Sequence, residues 1–307
     1  MTTFRTIAAL AATAALALGA TACGSDGAEP AAAGEDTMCP DGKLRFGVEP
    51  FEDAETLIPI YEKLGTVLEE KLDCPVEVQI AESYVGEILA MKNNKLEIGQ
   101  FGPLGFVFAE RQARAIPIVS FADENGDVSS YTGGIWVPKG SEIAAIEDLA
   151  GRSLALSEPG STSGDAVPRK VLIDAGIEKD VKVNYAGGHS EALLALVKGK
   201  VDAAEINSQT LASATAEGTF DESKFTQIWE SKPILNDPIT VSPNLSPELR
   251  NAIKEAFLDL KPADVKEIGG YLDFNSPSSN PVVEVTSEDY QEVKDLADAL
   301  GLTEDDL

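Results

Sequence analysis

The chain has 307 residues with 52 acidic against 24 basic side chains, a formal net charge of −28 at pH 7, and one histidine. Acidity on this scale disfavours nucleic acid as a partner and favours solubility, so any anion has to be recognised locally, against the long-range field of the protein. A single histidine leaves one candidate base for a Ser-His-Asp triad, and no carboxylate cluster has metal-ligand spacing, so no catalytic residue, metal or cofactor is expected.

Residues 1–22 carry Arg5, an apolar run over 7–18, and then Gly19-Ala20-Thr21-Ala22, which is the charge, core and small-residue order of a secretory signal. The run is too short to span a bilayer comfortably. Small residues directly before Cys23 resemble the lipobox of bacterial lipoproteins, which implies a lipidated Cys23 anchoring the chain outside the cell membrane; ordinary secretion is the alternative. Removing the signal, whose only charge is Arg5, makes the mature chain one unit more negative. From Cys23 to about residue 42 the chain starts as Gly, Ala, Ser and acid without apolar periodicity, and reads as a flexible tether. Roughly 270 residues remain, enough for one large domain or two lobes.

A short strand is expected over 44–48, then a helix with Leu57, Tyr61, Leu64, Leu68 and Leu72 near helical spacing. A strand over 76–80, a short helix around Ile88 and Leu89, and a strand over 96–101 ending at Gly102-Pro103 continue the alternation that points to a parallel sheet. With Cys23 assigned to lipid, Cys39 and Cys74 form an expected disulfide in an oxidising compartment. Each stands just before one of the first two strands, and parallel neighbours would bring both to one sheet edge.

Strands over 116–121 and 131–137 flank the turn Glu124-Asn125-Gly126-Asp127. A second series follows: strand 153–156, helix 163–175 stopped by Gly176, strand 181–185, helix 190–198, strand 201–206, and a closing strand 225–229. Pro233, Pro238 and Pro243 suit an extended return crossing over 234–244. Ser246-Pro247-Glu248 is a helix start, helices are expected to dominate the remainder, and the last runs over 287–300. The fold class is α/β, two lobes joined by two crossings around a cleft. Lobe 1 takes residues 43–132 and 239–307, and lobe 2 takes 133–238. A ligand should meet the strand C-termini facing the cleft.

Ser157-Glu158-Pro159-Gly160-Ser161-Thr162-Ser163-Gly164 follows a strand and opens a helix, so backbone N–H groups and hydroxyls converge on a helix N-terminus, the layout of an anion site. A serine can also stand there merely as a cap, but three hydroxyls flanked by glycines exceed what capping needs. The segment centres on Thr162 and is not a Gly-x-Ser-x-Gly nucleophile elbow. His189, the lone histidine, sits at the next helix start, on the same cleft-facing end as Ser161; a structural role is its ordinary fate. Tyr84 and Tyr131 can offer phenolic hydroxyls to the cleft or simply pack, and Asp237 on the return crossing is a ligand partner or a solvated turn carboxylate.

Together Ser83-Tyr84, Phe101-Gly102-Pro103, Tyr131, Asp148-Leu149-Ala150-Gly151, Ser161-Thr162-Ser163-Gly164, Gly188-His189, Val201-Asp202-Ala203 and Asp237-Pro238, in this order and spacing, resemble the phosphate, phosphite and phosphonate substrate-binding proteins of ABC transporters, which have the type II periplasmic-binding fold. The resemblance covers most of residues 44–260. It implies an extracytoplasmic binding protein, a monomer serving ABC permease subunits, with Tyr84 and Tyr131 lining the first-lobe side and Ser161, Thr162, Ser163 and His189 holding phosphorus-bound oxygens. Members that take 2-aminoethylphosphonate pair two carboxylates with its ammonium; this chain keeps Asp237 but shows Gln209 at the other place, and an uncharged amide supplies no second counter-charge. Phosphite, phosphate, hypophosphite and methylphosphonate gain accordingly. Asp237 beside an oxyanion needs a proton between them, so a ligand bearing P–OH is expected. A hydrolase of phosphate esters using Ser161 or Thr162 with His189, and a sensor passing its closed state to a membrane receptor, are the alternatives.

Overall fold

The computed structural model describes residues 39–272 and 280–303. The signal segment, Cys23 and most of the tether lie outside the described residues. In chain order the strands are β1 (Leu44–Val48), β2 (Val76–Ile80), β3 (Ile98–Gln100), β4 (Ile116–Phe121), β5 (Ser130–Tyr131), β6 (Gly133–Pro138), β7 (Ser153–Leu156), β8 (Lys182–Tyr185), β9 (Ala203–Asn207), β10 (Phe225–Glu230), β11 (Ile234–Leu235), β12 (Ile239–Val241) and β13 (Val282–Glu284). The helices are α1 (Ala54–Leu72), α2 (Tyr84–Lys92), α3 (Pro103–Ala113), α4 (Val167–Asp174), α5 (His189–Val197), α6 (Ser208–Glu217), α7 (Pro247–Leu258), α8 (Lys266–Tyr271) and α9 (Gln291–Leu300).

Two main sheets take eleven of these strands: six in the order β13-β4-β12-β3-β1-β2 and five in the order β10-β6-β9-β7-β8. The alternation of strand and helix places β1 parallel to both β2 and β3, and β7 parallel to both β8 and β9. The sheets are mixed, however. Returning from the second sheet, the chain enters the first as β12, antiparallel to β3 and β4, and β13 then pairs antiparallel with β4. Between the sheets β5 and β11 pair antiparallel, Tyr131 opposite Ile234, so the outgoing and returning crossings are hydrogen-bonded to each other.

Helix α1 forms because Leu57, Tyr61, Leu64, Leu68 and Leu72 recur at helical spacing, and all five are buried against β1 and its neighbours. Phe46 of β1 meets the rings of Tyr61 and Phe257 edge-on at centroid distances of 6.1 and 6.0 Å, tying α1 and α7 to the first sheet. Ser246 caps α7, its Oγ accepting the Leu249 N–H at 3.1 Å, as the Ser-Pro-Glu start predicts. Cys39 and Cys74 are joined by a disulfide, with Cα atoms 5.4 Å apart, because β1 and β2 run side by side in register from Leu44 opposite Val76.

Three elements depart from the sequence reading. Helix α3 is unannounced because its residues from Pro103 to Ala109 are all buried, so no polar face marks the period. Helix α6 has small and polar residues with few apolar markers. Strand β13 lies in a stretch expected to be helical, and its three residues gain their conformation from pairing with β4. No helix among the described residues is long and apolar enough to cross a membrane.

Candidate functional site

The segment from Ser161 begins with one wide, π-helical turn, Thr162–Ala166, that runs directly into α4. Ser161 is its cap: Oγ accepts the Gly164 N–H at 3.1 Å. The next hydroxyl has a different task. Thr162 Oγ1 accepts the Leu104 N–H from the start of α3 at 2.9 Å, which joins the two lobes and leaves the threonine hydrogen available to the cleft. Ser163 is turned behind this turn, 1% exposed, packs beneath Gly133 and sets its hydroxyl near the Tyr131 phenol. The glycine of the motif is required by close approach, since a Cβ on Gly164 would fall 1.9 Å from Ser157 Oγ and 2.8 Å from His189 Cε1.

His189 opens α5 after β8 and is 3% exposed. Its Nε2 lies 3.3 Å from Ser161 Oγ, and its Nδ1 lies 3.3 Å from an oxygen of Glu205, a fully buried carboxylate on β9. Tyr84 opens α2, and its N–H donates to Glu158 of the other lobe at 3.4 Å. A further bridge runs from Ser190 Oγ to Glu52 at 2.8 Å. Burial, then nearby carboxylates, raise the phenols of Tyr84 and Tyr131 well above the ordinary tyrosine range, so both remain neutral donors.

Tyr84, Tyr131, Ser161, Thr162, His189, Gln209 and Asp237 line one interlobe cavity, together with Glu49, Phe51, Gly102, Asn207 and Leu272. The strand-end rule accounts for much of this: Glu49, Gly102, Ser161, His189 and Asn207 all stand at or just past the C-terminal ends of parallel strands. The free volume at the centre is about 20 Å³. That exceeds the ~10–15 Å³ that admits a water and is far below the hundreds of Å³ of sites for drug-sized ligands.

The opposite wall is acidic. Asp237 Oδ2 accepts from Gln100 Nε2 at 3.1 Å, and burial pushes its carboxyl up to about 7. Glu49, which accepts the Gly102 N–H, is raised well above the usual carboxylate range by burial and then by Asp237. Gln209 sits at this wall with its amide hydrogens committed to Asn236 Oδ1 at 2.7 Å and the Leu272 carbonyl at 3.0 Å. Sequence reasoning missed Glu49 and Glu205. Glu49 ends β1 beside Pro50 and the strand-end rule reaches it; Glu205 is a carboxylate inside the apolar run Ala203-Ala204-Glu205-Ile206, which is itself a signal of a buried polar role.

The two sheet-and-helix lobes, double crossing and polar interlobe cavity define a solute-binding protein of the type II periplasmic class. The family model of the ABC transporter, phosphonate, periplasmic substrate-binding proteins matches residues 46–295, and the chain belongs to that family. It is 26% identical over 272 residues to the phosphate-import protein of Mycolicibacterium smegmatis, covering 82% of this chain and 84% of that one. It is likewise 26% identical over 274 residues to the phosphonates-binding periplasmic protein of Escherichia coli, covering 86% and 81%. The fold is similar to that of a Prochlorococcus marinus protein solved in complex with methylphosphonate, with a TM-score of 0.74 at 18% identity and coverage of 85% and 98%. The chain is therefore an extracytoplasmic substrate-binding component of an ABC transporter of the phosphonate class, and not an enzyme.

Proposed function

We propose that the cleft clamps a compact phosphorus oxyanion bearing one P–OH, of the size of phosphite, phosphate or methylphosphonate, and presents it to the permease. Lipidation at Cys23 would tether the chain, which works as a monomer. The observation that carries this reading is the asymmetry of the cavity wall: hydroxyls, phenols and His189 on one part, Asp237 and Glu49 on another, around a free volume of about 20 Å³. Phosphorus-bound oxygens meet the donors, and the P–OH donates to Asp237, so one proton is shared where two anions would otherwise repel. The names of the relatives, one a phosphate importer and one a phosphonate binder, agree with this range of ligands.

Glu49 introduces a consideration absent from the Gln209 argument, since it offers a second carboxylate from another element and so a place for a ligand ammonium. Gln209 weighs against it, since its amide hydrogens are committed to Asn236 and Leu272 and it supplies no charge of its own to an ammonium.

Calorimetric titration of the delipidated protein with phosphite, phosphate, hypophosphite, methylphosphonate and 2-aminoethylphosphonate checks the reading. Tight binding is expected for a compact member bearing P–OH, and Asp237→Asn should shift preference toward the fully ionised form as pH rises. Binding of the aminophosphonate alone, or relative affinities that Asp237→Asn leaves unchanged across pH, would contradict it.

A further inference from the structure

Ser161 Oγ has two acceptor positions and one hydrogen. One position takes the Gly164 N–H at 3.1 Å, and the other hydrogen-bond partner of the hydroxyl among the described residues is His189 Nε2 at 3.3 Å. The state of the imidazole therefore decides where the serine hydrogen goes. If Nε2 carries a proton, Ser161 Oγ accepts it and the hydroxyl hydrogen must point into the cavity, toward a ligand. If Nε2 is bare, the serine donates to histidine instead, and an anion in the cavity meets an oxygen lone pair.

The far side of the ring settles the second proton. Glu205 Oε2 lies 3.3 Å from Nδ1, at ion-pair distance in a fully buried position, and among the described residues neither Glu205 oxygen has a hydrogen-bond donor in good geometry, so Nδ1 is the nearest group able to satisfy it. A carboxylate there fixes a proton on Nδ1. A neutral ring would then be bare at Nε2, the arrangement that turns Ser161 away from an anion. With Glu205 ionised, the doubly protonated ring satisfies both neighbours; a protonated Glu205 donating to Nδ1 would serve a neutral ring instead, and the state of the ring tells the two apart. Glu52, ahead of α1, and Glu158, after β7, also lie near His189, while Asp237 and Glu49 titrate in the same cavity.

We propose that Glu205 is a positioning residue that commits His189 to the imidazolium form, so that Nε2–H is given to Ser161 and the serine hydroxyl becomes an obligate donor to the bound oxyanion. This rests on the oxyanion reading of the cleft. It places His189, among the described residues that line the cavity the one side chain able to be cationic, under the control of a residue that is not part of that lining. The order Ser161, His189, Glu205 has the outline of a nucleophile–base–acid row, but its polarity runs the other way, delivering a hydrogen bond outward where a triad withdraws a proton from serine.

The single histidine makes the test direct, because ring ¹⁵N resonances of the mature, tag-free protein report His189 alone. Both ring nitrogens of the ligand-free wild type should be protonated at the pH of tightest binding, and Glu205→Gln should leave one bare there. Calorimetry with phosphite and methylphosphonate from pH 5.5 to 9 should show Glu205→Gln weakening binding progressively as pH rises, its alkaline limb falling at lower pH than that of wild type. Glu205→Asp, which keeps the charge, should restore part of that range. Contributions from Asp237 and from the ligand are common to all three proteins. Coincident alkaline limbs, or a neutral ring in wild type at the pH of tightest binding, overturn the proposal. Absence of binding by any of these anions to wild type would instead sink the oxyanion reading, and the ring resonances would still judge Glu205.

Discussion

Gly164→Ala is expected to weaken ligand binding by about 100-fold or more. The added Cβ would stand 1.9 Å from Ser157 Oγ, 2.7 Å from Ser157 Cβ and 2.8 Å from His189 Cε1, all inside distances that real Cβ atoms adopt. Two of these contacts involve a strand end and the third involves the histidine ring, so relief requires the helix start to move away from β7 or the ring to leave Ser161. Either movement separates donors that must converge on one oxyanion. Losing two such bonds at about 1.5 kcal/mol each gives about 3 kcal/mol, a hundredfold in affinity. Calorimetric titration of the variant, with circular dichroism to verify folding, measures the effect. Ser157→Gly removes both serine atoms from the contact, so the Ser157→Gly/Gly164→Ala pair should regain part of the loss. Affinity within threefold of wild type in the single variant would show that the glycine is not holding the cradle closed.

The ligand-free protein should become more stable as pH falls from 8 to 5. Burial pushes the Asp237 carboxyl up to about 7, whereas an unfolded aspartate titrates near 3.9. The folded state therefore holds this proton over a range where the unfolded state has released it. The resulting stability is fully present below about pH 4 and is lost as pH rises through about 7, an effect on the order of 4 kcal/mol. Glu49, Glu87 and Glu205, each raised chiefly by burial, act in the same direction. Asp259 acts oppositely, held down to about 2 by Lys261 and Lys71, but it is solvent-exposed and its share is small. Denaturant unfolding across this pH range reads the slope. Asp237→Asn should flatten it, which separates the carboxyl from the general relief of negative charge on acidification. A stability that climbs toward pH 8, or a slope the variant leaves intact, would contradict the assignment.

These acids also show where sequence legibility ends. The strand–helix alternation, the capped helix start at Ser161 and the cysteine pair are local or nearest-neighbour features, and periodicity and turn chemistry expose them. The convergence of Tyr84, Ser161, Thr162, His189 and Asp237 could be anticipated because strand C-termini in such folds face one cleft. What stayed hidden depends on tertiary approach. The orientation of Ser163 beneath Gly133, the commitment of the Gln209 amide to Asn236 and Leu272, and the meeting of Glu205 with His189 each follow from how β6, β9 and α8 sit beside one another. Helix α3, apolar through its first two turns, lacks a polar face from which a period can be read.

A crystal structure of the protein with methylphosphonate tests the central claim most directly. Phosphonate oxygens should lie within hydrogen-bond distance, about 2.6–3.2 Å, of the Ser161 and Thr162 hydroxyls, with one protonated oxygen directed at Asp237. An anion seated outside this cavity, or bound there with all its oxygens turned away from Asp237, would contradict the account.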